Sequence, residues 1–467
     1  MWLYTLCITA LLYFGKKEVI MANDSLTQGS ILKPLLKFAV PVIFALILQS
    51  LYGAVDLMVV GQFSTSADVS AVATGSQIMQ TLTGAVAGLS MGTTILIGQQ
   101  LGNGNRSGAG RTFGVSVFFF LVLGLVLSVV IGLNAGFLSN LMNAPEEAFS
   151  QTVSYVSICG FGLIFITAYN LLGSLFRGLG NSQLPLLSVA IAAAINIGLD
   201  LLLVAVFHMG AMGAAVATVA SQTVSVLISV VIILKTTLPF DLNRKDICFD
   251  GKVVKKVVGF GAPLALADFL VGLSFLIIGA IVNSLGVLAS AGVGVAEKVC
   301  GFIMLVPSAF SQSMAAFVAQ NYGAGKMDRA HKGLAYGIYI SFGIGVFMAW
   351  LAFFHGDKLC RLFATDEQVI FNGWQYLKAY AIDCMLTPFF FCLTGYFNGC
   401  GDTKFVMIQN LFGALCVRVP VSYMMSKVTP VSLFRIGLAT PSSSFVQCIL
   451  CLGYLFLVAL KKEKKTA

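Results

Sequence analysis

The sequence predicts an all-α membrane protein in which twelve transmembrane helices form two similar halves. Three observations lead to this fold class. Of the 467 residues, 58% are hydrophobic and only 10% are charged, whereas soluble domains average about 45–50% and about 25%. The apolar residues fall into twelve long runs, and motifs of the first half recur at a nearly constant distance in the second.

The twelve apolar runs are separated by charged residues or by clusters of Gly, Asn and Pro. A bilayer core about 30 Å thick needs about 20 apolar residues per helix, so the chain has room for about a dozen spans. Continuous apolar runs disfavour a β-barrel, whose strands alternate polar and apolar residues. From these runs we expect spans at 35–60, 66–100, 112–137, 150–177, 183–207, 211–235, 257–283, 287–321, 333–354, 371–397, 404–425 and 433–460.

The segments at the two ends of the chain are not expected to span the membrane. Residues 1–30 precede the first span, and their apolar part, positions 1–15, is too short for a span and lacks a leading basic region. Because Met21 is followed by the polar stretch ANDSLTQGS, we expect the protein to start at Met21 rather than to carry a signal peptide. A basic tail, residues 461–467, follows the last span.

The basic residues lie mainly in alternate loops. With a cytoplasmic amino terminus, one side of the membrane receives twenty-one Lys and Arg residues and the other receives five. Because cytoplasmic loops are enriched in these residues, we expect a multi-pass protein of the cell inner membrane with both termini in the cytoplasm. The same asymmetry accounts for the net charge of +9, so nucleic-acid binding is not predicted.

The chain contains an internal duplication, in which motifs of the first half recur in the second at a nearly constant offset. Each half holds six spans, and because six is even both halves enter the membrane in the same direction. This predicts a parallel repeat around a central cleft. The expected lobes are residues 31–235 and 257–460, joined by a basic cytoplasmic linker at 236–256. The matching residues are Pro41 with Pro263, Gly102 with Gly323, and Gly178 with Gly399.

Charged side chains within the spans are candidates for ion or substrate sites, because they are costly to place in lipid. Acidic residues outnumber basic ones there, so some carboxylates must be neutralised by a proton, a bound cation or a cationic substrate. A structural role in holding helices together is the alternative. The acidic residues are Asp56, Asp200, Asp268, Glu297 and Asp383, and the basic residues are Lys298 and Arg418.

Six polar side chains are expected to converge in the first lobe. Three follow the spacing i, i+3 and i+7 on one stripe of the first span, two lie four residues apart on one face of the fifth, and the sixth span adds a hydroxyl. Their oxygen atoms suit H⁺ or Na⁺ equally, so the pattern leaves both ions open. The six residues are Gln49, Tyr52, Asp56, Asn196, Asp200 and Thr218.

The acidic residues of the second lobe have two interpretations. Asp268, Glu297 and Asp383 can face the central cleft and attract a cationic substrate or an ion. Alternatively, Lys298 and Arg418 can pair with them as structural ion pairs. Glu297 and Lys298 are adjacent in sequence and therefore point away from each other on a helix.

No cofactor or transition-metal site is expected. Most of the 11 Cys residues lie inside apolar runs, where they pack as small apolar groups, and the 3 His residues form no metal-binding motif. The Gly-rich loops lack the pattern of phosphate-binding loops and are expected to be turns. The one expected ion is the coupling ion, H⁺ or Na⁺, with Na⁺ ligands at Asp56, Asn196, Asp200 and Thr218.

Several short motifs occur in a fixed order over nearly all of residues 30–460. The first half has Pro41 followed by Asp56 and Gly61, and then LGNGN, RGLGNS, NIGLD and GAMGAA; the second half has Pro263, YGAGK and NGCGDTK. Each motif alone is weak, but their order across twelve spans is specific. In these motifs the chain resembles the multidrug and toxic compound extrusion (MATE) family of bacterial secondary transporters.

The resemblance implies a cation-driven antiporter that expels organic, often cationic and amphipathic compounds. It implies that the first lobe holds the cation site. The second lobe departs from the pattern of other branches, since Val271 stands where they have a Glu, and Asp268 and Asp383 are each displaced by about one turn. The site residues implied by position are Asp56, Asn196, Asp200 and Thr218, with Gln49 and Tyr52 flanking them.

We therefore expect a monomer in the lipid bilayer that exchanges small organic compounds for H⁺ or Na⁺ by alternating access of its two lobes. A lipid-linked saccharide flippase is an alternative, but it would need a cationic cleft, and the expected midplane residues are net acidic. A membrane-embedded enzyme such as a prenyltransferase would need a carboxylate-rich metal motif, which the sequence lacks. A passive channel would conduct without an ion gradient.

Overall fold

A computed structural model describes residues 26–240 and 242–459 of the chain. The described residues form long helices joined by short loops, and the predicted all-α class is confirmed. The expected start at Met21 and the basic tail at 461–467 lie outside the described residues.

The membrane-spanning helices agree with the predicted runs. Over the described ranges, eleven helices are long and apolar enough to cross a membrane, and one bent pair brings the number up to twelve. Each of the twelve predicted runs overlaps one of them. In chain order, α1 to α12 are Leu32–Phe63, Ser66–Gly102, Arg106–Leu133, the bent pair Glu146–Phe161 and Leu163–Gly178, Gln183–Val206, Gly210–Lys235, Gly251–Asn283, Val287–Gly323, Met327–Cys360, Glu367–Cys400, Thr403–Ser426 and Leu433–Leu457.

Polar residues between the apolar runs cap the helices. Thr65 begins α2, where its hydroxyl accepts a hydrogen bond from the Asp68 N–H at 3.2 Å and its own N–H donates to the Asp68 carboxylate at 3.4 Å. Asn105, in the LGNGN motif, begins α3 by accepting from the N–H of Gly108 at 2.9 Å. Such caps satisfy N–H groups that have no partner within the helix, so they fix where each helix begins.

Helix α4 is bent by 52° at Gly162. The hydroxyl of Ser128, on α3, accepts a hydrogen bond from the N–H of Ile164 at 2.9 Å. A neighbouring side chain therefore takes a helical N–H at the bend, which is a recognised cause of helix kinks. The bend separates the first part of α4, which contributes to the site described below, from the second part.

Helices α5 and α11 each contain a π-helical segment. In α5 it covers Leu201–Val206 and begins directly after Asp200. In α11 it covers Phe412–Arg418 and ends at one of the two basic candidates. Such wide turns occur often at functional sites, and here each adjoins a charged residue inside a span.

The described chain divides into two compact units. The first consists mainly of Leu36–Ala265, and the second of Leu266–Tyr322 and the helices that follow it. The division falls inside α7, whereas the sequence places the boundary in the linker at 236–256. The expected domain limits therefore stay a prediction.

An ion pair joins the end of the linker to helix α3. Arg111, on α3, forms an ion pair with Asp250 at 2.6 Å. Asp250 also caps α7, because its Oδ1 accepts a hydrogen bond from the N–H of Lys252 at 2.9 Å. The backbone N–H of Lys252, the further N–H of Val253 and the charge of Arg111 together lower the pKa of Asp250 below its usual value.

Candidate functional site

Four of the predicted residues of the first unit meet in one buried cluster. Asp56 lies on α1, Asn196 and Asp200 lie on α5, and Thr218 lies on α6. Asn196 and Asp200 are completely buried, and Asp56 is 6% exposed. The Thr218 hydroxyl donates to Oδ2 of Asp56 at 3.3 Å, and the side chains of Asn196 and Asp200 lie beside the same carboxyl group. The structure therefore brings together the four residues that the helical spacing selected.

The cluster contains polar atoms whose bonding capacity is not used. Oδ1 of Asp56, both carboxyl oxygens of Asp200 and both polar atoms of the Asn196 amide make no hydrogen bond of normal geometry with any described residue. Buried polar atoms nearly always have a partner. Five such atoms in one place therefore indicate a site for a proton or a small cation.

The negative charges of the cluster favour the binding of a positive ion. The carboxyl groups of Asp56 and Asp200 are close enough to share a proton. In the described part of the chain, no Lys, Arg or His side chain pairs with either group. Two adjacent carboxylates without a counter-charge repel each other strongly away from water. A proton between them, or an alkali cation held by their oxygens together with those of Asn196 and Thr218, removes that repulsion.

The two predicted flanking residues differ in their surroundings. Tyr52 is half-buried on α1, and its side chain lies near Gln222 and Asp56. Gln49 lies one turn earlier and is half-buried, and its side chain makes no hydrogen bond within the described residues. Tyr52 is therefore a neighbour of the acid pair, whereas Gln49 has no contact that ties it to the cluster.

Three neighbours of the cluster were not predicted. Gln222 follows Thr218 by four residues on α6, so the i, i+4 spacing was a usable signal. Tyr155 and Cys159, on the first part of α4, lie near each other and near Asp56. A tyrosine and a cysteine in an apolar run are typical of packing, so no pattern in the sequence indicated their position beside the acids.

The second unit holds a different arrangement. Asp383, on α10, and Arg418, on α11, are both buried, with exposed fractions of 1% and 6%. Their opposite charges lie near enough to attract each other. Nη1 of Arg418 donates to the Ser274 hydroxyl at 3.2 Å, and its guanidinium lies over the ring of Phe275, 4.5 Å from the centroid. The Asp383 carboxyl lies near the Ser444 side chain, and its Oδ1 makes no hydrogen bond with a described residue. Asp383 and Arg418 therefore share one buried region, and both interpretations of the second-lobe acids stay predictions.

The other charged candidates of the second unit lie apart from this arrangement. Glu297 and Lys298 are adjacent on α8, and both are exposed, as is Asp268 on α7. Within the ranges that the structure covers, none of the three forms an ion pair. Cys300 lies near both Glu297 and Asp383. The three predicted acids of this unit are therefore not brought together as Asp56 and Asp200 are.

Two curated relatives and one solved structure are similar over nearly the whole chain. YoeA of Bacillus subtilis, a probable multidrug resistance protein, is 25% identical over 450 residues, covering 95% of this chain and 97% of its own. YpnP of the same organism, also a probable multidrug resistance protein, is 27% identical over 405 residues, covering 86% and 89%. A transporter of the MOP superfamily from Pyrococcus furiosus, described as having a binding pocket of reverse polarity, superposes with a TM-score of 0.88 at 21% identity, covering 93% of this chain and 98% of that one.

The family comparison accounts for both halves of the chain. The family model MatE matches residues 41–202 and again residues 263–424. The two matches begin at Pro41 and Pro263, the same pair of prolines that marks the duplication in the sequence. Together they cover more than half of the chain, and the family consists of transporters rather than enzymes. The chain therefore belongs to the MatE family of multi-pass membrane transporters.

Proposed function

We propose that this protein is an inner-membrane antiporter that exports organic, often cationic and amphipathic compounds in exchange for H⁺ or Na⁺. One observation carries the proposal: Asp56 and Asp200 form a buried acid pair with unpaired oxygens and, in the described chain, no cationic side chain as partner. Family membership supports ion-coupled antiport. The names of YoeA and YpnP, both probable multidrug resistance proteins, support a drug-like cargo.

The coupling ion neutralises the acid pair. A proton is held between the carboxyl groups of Asp56 and Asp200, whereas Na⁺ would be held by those groups together with the amide oxygen of Asn196 and the hydroxyl of Thr218. Either ion removes the repulsion between two charges on different helices, α1 and α5. The ion therefore favours a conformation in which these helices pack closely, and its release favours one in which they do not.

Exchange follows if ion and cargo prefer different conformations. A ligand shifts an equilibrium between two states only by its difference in affinity for them. If the ion binds the state that releases cargo outward, the cargo must weaken ion binding by the same factor as the ion weakens cargo binding. The π-helical segment directly after Asp200 supplies a place where α5 can change its hydrogen-bond register. In this proposal the protein is a monomer with both termini in the cytoplasm.

The exposed acids of the second unit are proposed to attract cationic cargo. Asp268 and Glu297 are exposed on their helices and form no ion pair with a described residue. Replacing Glu297 by Gln is expected to weaken the export of cationic dyes more than that of neutral ones. Lys298→Gln is the matched control, because Lys298 is adjacent but points away from Glu297. Equal losses for both kinds of dye in the Glu297 variant would contradict the role.

Dye export from everted vesicles under separate gradients tests the proposed function. A proton gradient or a sodium gradient, with the higher ion concentration in the vesicle lumen, is imposed alone, and the movement of a fluorescent cationic dye is measured. We expect one of the two gradients to drive dye accumulation in vesicles that contain the protein. Dye entry that is as fast with both gradients collapsed as with either imposed would indicate a passive channel and contradict antiport.

The same vesicles separate the proposal from its main alternative. A lipid-linked saccharide flippase is expected to move a pyrophosphate-linked lipid between leaflets and to leave the dye where it is. Lipid translocation without dye export under either gradient would therefore overturn the proposal.

A further inference from the structure

The linker is fastened to helix α3. Its last residues, from Gly251 on, belong to α7, and the residues before them connect that helix to α6. The ring of Phe240 lies 5.7 Å from the ring of Phe113 on α3, measured between centroids. A side chain in place of Gly114 would collide with the backbone of Asp246. These contacts and the ion pair at its end fix the position of the linker beside α3.

The acids of this segment are used within the protein, whereas its lysines are not. The carboxylate of Asp246 accepts a hydrogen bond from the N–H of Asn243 at 3.0 Å, and Asp250 is paired with Arg111. The lysines of the linker and the one that ends α6 are exposed, and their side chains form no hydrogen bond or ion pair with a described residue. The five lysines are Lys235, Lys245, Lys252, Lys255 and Lys256. This surface therefore carries positive charge that no described acid balances.

Two large apolar side chains project from the same surface. Ile247 is 45% exposed and Phe249 is 67% exposed. The ring of Phe249 lies next to Gly251, 3.8 Å from where a Cβ atom of that residue would be, so it stands at the beginning of a membrane-spanning helix. Apolar side chains next to a row of lysines are typical of segments that lie in the interface of a bilayer.

The first turns of α7 lie at the level of the lipid headgroups. The helix has 33 residues and is therefore about 50 Å long, whereas the bilayer core is about 30 Å thick. Its apolar run begins only at position 257. The lysines at 252, 255 and 256 precede that run and share one helix face. Their aliphatic stems can lie along the apolar surface while their ammonium groups reach the phosphates.

We propose that the five lysines, together with Ile247 and Phe249, form a binding surface for anionic phospholipids. The lysines hold the lipid phosphates, and the two apolar side chains enter the acyl-chain region of the same leaflet. A basic residue close to an anionic leaflet contributes about fivefold in affinity. Because the linker is fastened to α3, the bound lipids lie against the first unit. The inference is independent of the exported compound and of the coupling ion.

Energy transfer from Cys248 to labelled lipids tests the inference. Cys248 is exposed between the two apolar side chains, so it can carry the donor. The full-length protein is placed in phosphatidylcholine nanodiscs with a trace of chain-labelled phosphatidylglycerol or chain-labelled phosphatidylcholine, and the signal of Cys248→Ser is subtracted. We expect stronger transfer to phosphatidylglycerol, and 1 M NaCl should remove the difference by screening. Equal transfer to both lipids would overturn the proposal.

Charge variants separate this surface from the net charge of the protein. Three lysines together contribute about a hundredfold, so the combined change of Lys252, Lys255 and Lys256 to Gln should abolish the preference for phosphatidylglycerol. The matched control removes the same charge from three exposed lysines outside the linker. The control changes are Lys332→Gln, Lys358→Gln and Lys404→Gln. The control should keep the preference, and an equal loss in both variants would contradict a localised surface.

Two further measurements test the apolar contact and the nature of the anion. Lipids with brominated acyl chains should quench the label on Cys248, and Phe249→Ser should reduce the quenching. A label that these lipids do not quench in the wild type would contradict insertion. Inorganic phosphate at 10 mM and constant ionic strength should leave the preference for phosphatidylglycerol unchanged. If it abolishes that preference, the surface binds free phosphate and the proposal is wrong.

Discussion

Replacement of Asp56 by Asn is the sharpest test of the acid pair. The change keeps the size of the side chain and its capacity to bond with Thr218, but it removes one of the two charges that attract the ion. Because the carboxyl is 6% exposed, water screens it little, and an effective dielectric constant of about 20 applies. One unit charge about 4 Å from a monovalent cation then contributes about 4 kcal/mol, so ion affinity should fall about a thousandfold.

The assay is gradient-driven dye export from everted vesicles containing equal amounts of each variant. At ion concentrations that support the wild type, Asp56→Asn should abolish export and the resistance conferred by expression, without lowering membrane abundance. Asp328→Asn is the matched control, because Asp328 is exposed at the start of α9 and its side chain makes no hydrogen bond with a described residue. Normal export from Asp56→Asn would refute the reasoning.

Three further changes test parts of the site and the fold. Thr218→Ala removes a single hydrogen bond and should weaken ion affinity by about threefold to tenfold, with Thr218→Ser near the wild type, as measured by titrating the driving gradient. Gly75→Ala adds a methyl group against the buried tyrosine of α4 and should cost about 1–3 kcal/mol in thermal melts, whereas Gly53→Ala, with open space around it, should not. Because the pKa of Asp250 is lowered in the folded protein, its carboxylate stabilises the fold above the unfolded pKa of about 4, and this stabilisation is lost as the pH falls below that value. Thermal melts between pH 3 and 7 should show that Asp250→Asn lacks this part of the pH dependence of stability. A Gly75→Ala variant as stable as the wild type, or unchanged pH dependence in Asp250→Asn, would contradict the corresponding contact.

The helices and the acid pair could be predicted because each depends on local features. Apolar runs of sufficient length identify spans whatever the spans pack against. The spacing of Asn196 and Asp200 places both on one face of α5 because the helix itself fixes that geometry. The duplication then placed the fifth and sixth spans in the same half as Asp56, so their convergence followed from topology.

The features that the sequence did not predict depend on contacts between helices. The bend of α4 arises where Ser128 takes the N–H of Ile164, and no property of either residue alone indicates that they meet. Tyr155 and Cys159 lie beside Asp56 because of how α4 packs against its neighbours. Hydropathy and spacing describe one helix at a time and contain no information about such pairs.

The interpretation of Arg418 depends on the same distinction. From the sequence, a buried Arg in a span could equally pair with any acid of the second half, and only the structure associates it with Asp383 and Ser274.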